Sequence, residues 1–304
     1  VSSELHYNDK NLIEKVIRAL SLLEMLVKAG CPLVFKGGTA LMLILGKSAH
    51  RLSIDIDLIC PPGTNIEDYL KSFADFGFIN LELVERKQRD DADIPKSHSK
   101  FFYQIAYRND TDAQSYILLD VLYEDIHYFR TQQIAINCPF IRLEGKPLMV
   151  TVPSAEDILG DKLTAFAPNT TGIPYYKNGR SCSMEIAKQL YDVGRLFENV
   201  SDLQITKEAF RKIAVVELSY RSFGTDIGQV FNDIRQTALC ISTRGKAGEG
   251  DFDLIQDGII RVKSFMYKQR YLIDHAIIDA ARAAYLATLI EKGINEIESY
   301  SNNC

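Results

Sequence analysis

Residues 35–41 read Phe-Lys-Gly-Gly-Thr-Ala-Leu, and residues 51–59 read Arg-Leu-Ser-Ile-Asp-Ile-Asp-Leu-Ile. The first stretch continues a short apolar run into two glycines and then a helical pattern, so it predicts a strand, a turn and a helix. The second alternates apolar and acidic residues and predicts a strand with Asp55 and Asp57 on one face. Together they predict an α/β fold whose sheet carries both glycines and carboxylates.

The remaining chain divides into two parts by its hydrophobic periodicity. Before residue 150, helical patterns alternate with strand patterns; the helices are expected at 11–28, 39–45 and 66–76, and the strands at 32–35, 54–60, 81–86, 101–107 and 115–123. After Pro153 the helical period dominates, at 155–166, 184–197, 207–216, 228–240, 252–270 and 273–297. We therefore expect an α/β (α+β) protein, with a mixed sheet flanked by helices in residues 1–150 and a helical domain in residues 151–304.

Composition indicates a folded, water-soluble protein. Of the 304 residues, 46% are hydrophobic and 25% are charged, close to the averages for globular domains. The formal net charge of -5 argues against a nucleic-acid binder that relies on an overall basic field. Two basic segments, 86–100 and 177–180, remain candidates for local contacts with nucleic acid, and the alternative for each is a solvated loop.

Cysteine spacing and hydropathy indicate the compartment. None of the six cysteines forms a CxxC pair or a metal-finger spacing, which favours a reducing environment. The sequence begins without a charged-then-apolar signal pattern, and no apolar run approaches the roughly 18 residues that a membrane span needs. We therefore expect a cytoplasmic protein that does not enter a membrane.

Asp55 and Asp57 are the first candidates for chemistry. On a strand they project from the same face about 6 to 7 Å apart, where two bare carboxylates repel by about 2 kcal/mol at an effective dielectric constant of 20. A divalent cation removes this repulsion, and oxygen ligands suit Mg²⁺ or Mn²⁺ better than zinc. The alternative is that Asp-x-Asp marks only the end of a strand.

Asp120 is the natural third carboxylate. It lies within the apolar run 117–122, where a charge is costly unless it is paired or bound to a metal. Three carboxylates would complete a two-metal clamp on the attacking and leaving oxygens of a phosphoryl transfer. The alternative is an aspartate at the edge of the sheet, exposed to water.

Gly37 and Gly38 are candidates for binding phosphate. They follow a strand and precede a helix, so their bare amides and the helix N-terminus can contact the β- and γ-phosphates of a nucleotide. Thr39 is expected to cap this short helix, and Gly46 to end it. An ordinary turn is the simpler alternative for a lone pair of glycines.

Two residues of the helical half are further candidates. Residues 154–157, Ser-Ala-Glu-Asp, form a capping-box pattern that starts a helix and places Lys162 on or beside its buried stripe. Lys162 either meets anions such as triphosphate oxygens or snorkels to the surface. In the next helix, Asp192 either orients Lys162 or acts as a base, or it pairs with Lys188 on the helix surface.

These motifs, in this order, resemble a known family. Residues 37–41 with 51–58 resemble the first motif of the AbiEii/AbiGii toxin family, nucleotidyltransferases of the DNA polymerase β type. Residues 154–166 and 188–193 are similar to its second and third motifs. The resemblance implies the toxin of a toxin–antitoxin or phage-defence system that transfers a nucleotide from a nucleoside triphosphate (NTP) to a tRNA 3′ end, with a cognate antitoxin.

The resemblance also implies roles for individual residues. Asp55 and Asp57 are expected to hold the metals, and Lys162 to contact the phosphates. Gly37, Gly38 and Ser53 are expected to approach the triphosphate. Asp192 is expected to complete the catalytic set, so that residues 1–150 form the catalytic domain and the helical domain supplies a lysine and an aspartate.

Two other functions remain open at this point. One is a nucleotidyltransferase that acts on a small molecule or on a protein hydroxyl, which fits the acidic charge balance slightly better. The other is a non-catalytic regulator that binds a nucleotide in the same pocket. The presence of Asp55, Asp57, Asp120 and Lys162 argues against the regulator, because a decayed site usually loses its charges first.

Overall fold

The computed structural model describes residues 9–84, 96–106, 113–200, 202–221, 224 and 226–297. The chain forms two compact units. The first unit comprises Val1–Ile126, Arg130–Pro153 and Phe265–Gln269, and the second comprises His127–Phe129, Ser154–Ser264 and Arg270–Cys304. Residues 86–95 of the first predicted basic segment lie outside the described residues, as do the predicted strand ends at Arg86 and Tyr107 and the terminal Cys304.

A five-stranded mixed sheet forms the centre of the first unit. Its strands are β1 (Val34–Lys36), β2 (Ile56–Cys60), β3 (Asn80–Val84), β4 (Lys96–Gln104) and β5 (Gln114–Tyr123), arranged in the order β1-β2-β5-β4-β3. β2 and β5 are parallel, and the other neighbours are antiparallel. The expected α/β fold with a mixed sheet is confirmed, and β5 lies at its centre rather than at an edge.

One face of this sheet is buried against the core, because side chains alternate between faces along a strand. Its buried residues include Phe101, Tyr103, Ile117, Leu119 and Val121. The long helix α1 (Lys10–Lys28) contributes the apolar stripe that the sequence predicts, including Val16, Leu20, Leu23 and Leu26, to the same core. The even-numbered residues of β4 and β5 therefore share the opposite face.

The helix after the glycine turn starts earlier than expected. α2 spans Gly37–Leu45 with Lys36 at its N-cap, so the prediction that Thr39 caps it is wrong. Thr39 instead lies inside the first turn, fully buried, and its hydroxyl is used for a tertiary hydrogen bond. The helix ends at Gly46, as predicted, in a positive-φ conformation.

Residues 66–76 do not form the single α-helix that was predicted. They form two 3₁₀ turns, η1 (Ile66–Tyr69) and η2 (Phe73–Phe76). The Asn65 side chain accepts a hydrogen bond from the N–H of Glu67, which tightens the first turn. In so short a segment, burying Ile66 and Leu70 in the core outweighs intrinsic helix propensity.

A second antiparallel pair belongs to the first unit, β6 (Thr131–Ala135) with β7 (Met149–Pro153). The sequence analysis did not predict it. Segment 265–269 also belongs to this unit, where the N–H of Leu52 donates to the carbonyl of Phe265 at 2.8 Å. The helix predicted over 252–270 therefore ends at Val262, because the chain leaves the helix to make this contact.

The second unit is mainly helical. Its helices are α3 (Ala155–Ala165), α4 (Ser183–Phe197), α5 (Leu203–Ser219), α6 (Ile227–Ser242), α7 (Phe252–Val262) and α8 (Ile273–Lys292). α8 stops at Gly293, which takes a left-handed conformation, rather than at Ile297 as predicted. Within the described ranges, no helix is long and apolar enough to cross a membrane.

The second basic segment, 177–180, forms a small hairpin. Its strands are β8 (Tyr176–Lys177) and β9 (Arg180–Ser181), which pair antiparallel. The two residues between them, Asn178 and Gly179, have φ values of 52° and 73°. Two successive positive φ angles are what a tight hairpin turn requires, and Asn-Gly adopts them readily.

Candidate active site

The glycine turn lies directly against the strand that carries Asp57. Gly37 has φ +76°, and a Cβ built there would overlap the Asp57 carboxylate. A Cβ on Gly38 would lie 2.7 Å from Ser53 Oγ and 3.0 Å from Arg51 Nη2. A side chain at position 37 would displace the Asp57 carboxylate, and one at position 38 would displace the Ser53 hydroxyl. The structure therefore brings Gly37, Gly38, Ser53 and Asp57 together.

A hydrogen bond joins the turn to Asp55 as well. Thr39 Oγ1 donates to the main-chain oxygen of Asp55 at 2.7 Å. Asp55 precedes β2 instead of lying within it, while Asp57 is the second residue of that strand. The first turn of α2 thus holds the backbone of the Asp-x-Asp motif in place.

Asp57 and Asp120 are neighbours across parallel strands. The register of β2 and β5 pairs them directly, and β1 adds Lys36 opposite Asp57. Neighbouring strands lie about 4.8 Å apart, so the two carboxylates adjoin on the sheet. Among the described residues, no group of three or more His, Cys, Asp or Glu side chains converges as metal ligands.

This donor set fits a cation that is shared with a nucleotide. Mg²⁺ is commonly held by one or two carboxylates together with substrate phosphates, rather than by a closed protein cage. Asp57 and Asp120 supply two carboxylates, and the glycine turn beside Asp57 supplies room for phosphates. The residues present therefore fit a divalent cation bound along with its substrate.

Asp120 also contacts a histidine that the sequence analysis did not identify. His98 Nδ1 lies 2.5 Å from Asp120 Oδ1, across the antiparallel pairing of β4 with β5. The His98 side chain is 9% exposed and that of Asp120 is 36% exposed. Because residues 96–100 are polar, the sequence pattern did not predict that β4 begins at Lys96. The pairing of His98 with Asp120 follows only from the register of the sheet.

Arg51 is a second residue that was not identified. Its side chain is buried, Nη1 donates to the carbonyl of Leu52 at 3.1 Å, and Nη2 lies beside Gly38. A buried guanidinium next to a glycine turn adds positive charge where phosphates are expected. The signal in the sequence was its place at the start of the acidic strand pattern, 51–59.

Lys162 and Asp192 form a buried ion pair in the second unit. Lys162 Nζ lies 3.0 Å from Asp192 Oδ2, and their side chains are 9% and 2% exposed. The burial excludes the alternative of a snorkelling lysine. The contact joins α3 to α4 and places the carboxylate of Asp192 against the ammonium group of Lys162.

Side-chain hydrogen bonds hold the start of α3 and so help position Lys162. Ser154 Oγ accepts from the N–H of Asp157 at 3.1 Å, as the capping pattern predicts. Asp157 Oδ1 accepts from the N–H of Phe129 at 2.6 Å, and Tyr128 donates to Asp161 at 2.7 Å. Segment 127–129 is thereby attached to the first two turns of the helix.

In the first unit, a mixed sheet carries adjoining carboxylates beside a glycine turn, as expected of a nucleotidyltransferase. The second unit holds the buried lysine–aspartate pair. The model of the family described as nucleotidyl transferase AbiEii toxin, type IV toxin–antitoxin system, matches residues 20–276. The chain belongs to this family. It is a nucleotidyltransferase toxin of the type IV class, and the family implies a cognate antitoxin.

Solved structures resemble the chain at low sequence identity, and MenT4 shares its fold. MenT4, a nucleotidyltransferase toxin from Mycobacterium tuberculosis, is 14% identical, with a TM-score of 0.52 over 92% of this chain and 82% of that chain. JHP933 from Helicobacter pylori is 16% identical, with a TM-score of 0.45 over 94% of this chain and 91% of that chain. No curated protein sequence matches the chain.

Proposed function

We propose that this toxin binds an NTP with Mg²⁺ or Mn²⁺ and transfers the nucleotide to the 3′ hydroxyl of a tRNA in the cytoplasm. The observation that carries the proposal is the contact of the Gly37-Gly38 turn with Asp57 and Ser53. It sets bare main-chain amides beside two adjoining carboxylates. The amides suit the triphosphate, and the carboxylates suit the cation that accompanies it. The tRNA acceptor follows from the family resemblance.

In this proposal the residues of the first unit bind the triphosphate. The N–H groups of Gly37 and Gly38, at the start of α2, donate to phosphate oxygens, with Ser53 Oγ as a further donor. Arg51 adds a fixed positive charge beside Gly38. Asp55, Asp57 and Asp120 are the proposed metal ligands, and the bound cation would neutralise charge on the phosphates and on the departing pyrophosphate.

Lys162 and Asp192 have separate roles in the proposal. Lys162 contacts phosphate oxygens through its ammonium group, and Asp192 holds that group in position. A buried ammonium group is less hydrated than one on the surface, so it is suited to bind an anion. Asp192 is therefore a positioning residue for Lys162.

The transfer step is an in-line displacement at the α-phosphorus. The acceptor oxygen forms a bond to the α-phosphorus, the bond from that phosphorus to the bridging oxygen of pyrophosphate breaks, and the acceptor proton passes to a carboxylate. The exposure of the two candidates supports Asp120 as that carboxylate, since Asp120 is 36% exposed and Asp192 is 2% exposed. The acceptor hydroxyl can therefore reach Asp120 more readily than Asp192.

The test is transfer from each of the four labelled NTPs to total RNA, with Mg²⁺ or Mn²⁺. We expect a labelled tRNA band with the wild-type protein and none with Asp55→Ala or Asp57→Ala. Asp75→Asn, at an exposed aspartate of η2, is the matched control and should keep full activity. Transfer retained by both Asp55→Ala and Asp57→Ala would overturn the assignment.

The same assay separates the other functions. Label that enters a protein or a small molecule instead of RNA would replace the tRNA acceptor by that class. Nucleotide binding without release of pyrophosphate, under conditions in which an added RNA pool is intact, would favour a non-catalytic regulator. Either result contradicts the acceptor proposed here.

A further inference from the structure

Aromatic and basic side chains cluster around Tyr116, which lies on the same sheet face as Asp120. The Phe102 and Tyr116 rings are neighbours across β4 and β5, with centroids 5.7 Å apart and ring planes tilted by 55°. Lys15 Nζ lies 5.9 Å and Lys100 Nζ 5.5 Å from the centre of the Tyr116 ring. We call these four residues the aromatic platform.

The sheet register aligns the aromatic platform with the candidate active site. Along β4 and β5 the cross-strand pairs are His98 with Asp120, then Lys100 with Leu118, then Phe102 with Tyr116. Successive pairs on one face are two residues apart, so Tyr116 lies about 13 Å from Asp120 along the strand. A short run of unpaired nucleotides is long enough to bridge this separation.

The platform has the chemistry of a binding surface for unpaired nucleotides. Tyr116 is 42% exposed, so its ring is accessible from solvent. Proteins bind single-stranded nucleic acid by stacking bases on such rings and by holding phosphates with nearby cations. Lys100 Nζ lies 3.5 Å from Glu82 Oε1, but both side chains are partly exposed. Ion pairs between such groups are weak, so a phosphate can replace Glu82 as the partner of Lys100.

We propose that the aromatic platform binds the unpaired nucleotides of an RNA acceptor that adjoin the reacting 3′ end. A base stacks on Tyr116, and Lys15 and Lys100 contact the flanking phosphates. The inference deepens the proposed function and rests on it for the chemistry at the 3′ hydroxyl. It also explains how a chain with a formal net charge of -5 binds RNA, because the positive charge is concentrated at one local surface.

The first test measures RNA binding without nucleotide. A short, fluorescently labelled single-stranded RNA is titrated with the full chain in the absence of NTP, and its anisotropy is recorded. We expect Tyr116→Leu, which keeps bulk but removes the ring, to weaken binding about tenfold or more. Tyr116→Trp keeps an aromatic ring and should bind as the wild type does. The duplex of the same RNA should bind more weakly than the single strand.

The second test measures the salt dependence of the same binding. For single-stranded RNA, each lost phosphate contact reduces the slope of log K against log salt by about 0.7. Lys15→Gln and Lys100→Gln should each produce this change. The matched control is Lys28→Gln, on the same helix as Lys15, whose ammonium also lies over a ring, that of Phe76 at 5.2 Å. Its slope should equal that of the wild type.

The outcomes separate the inference from the proposed function. Unchanged binding by Tyr116→Leu, or equal affinity for the duplex, overturns the inference even if the enzyme transfers nucleotides. Binding that depends on Tyr116 and both lysines supports the inference. If that binding is found but RNA receives no label from any NTP, the proposed transfer reaction fails and the platform remains as an RNA-binding surface.

Discussion

Gly37 packs so closely against Asp57 that a Cβ at position 37 would overlap the Asp57 carboxylate. The contact joins the turn proposed for phosphate binding to the strand proposed for metal binding. The two features are separated in the sequence by α2 and the segment that follows it, yet they adjoin in the first unit. Disturbing either residue should therefore disturb both proposed ligands.

Gly37→Ala should abolish nucleotide transfer. The new methyl group would meet both a positive φ and the Asp57 carboxylate, and positive φ alone costs on the order of 1 kcal/mol. Gly63→Ala is the matched control, because Gly63 has φ +82° and nothing within 4 Å of a Cβ. Both variants should unfold at a lower urea concentration, and only Gly37→Ala should lose transfer. Similar activity in the two would contradict the proposed role of the contact.

Breaking the Lys162–Asp192 pair should affect stability and activity differently. Lys162→Met or Asp192→Asn leaves a buried charge without this partner, at a cost of about 3 to 5 kcal/mol. The double variant Lys162→Met/Asp192→Asn removes both charges of the pair and should recover part of this loss. All three should fail to transfer nucleotide, as measured beside urea unfolding. Strictly additive stability losses would argue against a coupled pair.

His98 should act as a positioning residue for Asp120. His98→Ala removes the hydrogen-bonding partner of Asp120 Oδ1. Loss of the hydrogen-bonding partner of a metal ligand typically lowers metal affinity or activity 10- to 100-fold. We expect weaker binding of Mn²⁺ in the presence of a non-hydrolysable NTP, measured by calorimetry, as well as slower transfer. His98→Asn retains a donor near the Nδ1 position and should recover part of the binding. Equal Mn²⁺ affinity in wild type and His98→Ala would rule out this role.

Alkaline pH should destabilise the protein, in part through Cys138. Burial raises the pKa of this thiol from 9.0 to about 11, although main-chain hydrogen bonds oppose the shift. The unfolded chain therefore loses this proton first, and stability falls as the pH rises from 9 to 11, by about 2 kcal/mol for this group. Burial raises the pKa values of Tyr175 and Tyr267 to about 12, so these two groups extend the loss of stability to higher pH.

Urea unfolding at pH 8, 9.5 and 11 measures this effect. Cys138→Ala removes the titrating thiol, so its stability should decline less steeply above pH 9 than that of the wild type, whatever its stability at neutral pH. An identical pH dependence in the two proteins would show that the thiol ionises equally in the folded and unfolded states.

The sequence was sufficient for the parts of the fold that depend on local pattern. Periodicity predicted α1 and most of the later helices, and the Ser154–Asp157 pattern predicted the start of α3. It failed over 66–76 and at the end of α7, where packing and contacts from distant residues overrode local helix preference. It also missed β6 and β7, since short strands carry a weak local signal.

The sequence by itself determined which reactive groups are available, because residue types and their spacing can be read along the chain: two glycines, three aspartates in or directly before strands, and a lysine in a helix. Only the tertiary structure decided which of them touch. Strand register paired Asp57 with Asp120 and Asp120 with His98, and it aligned Tyr116 with that site. Register and helix packing are set by burial of the whole core, and this information does not reside in any single motif.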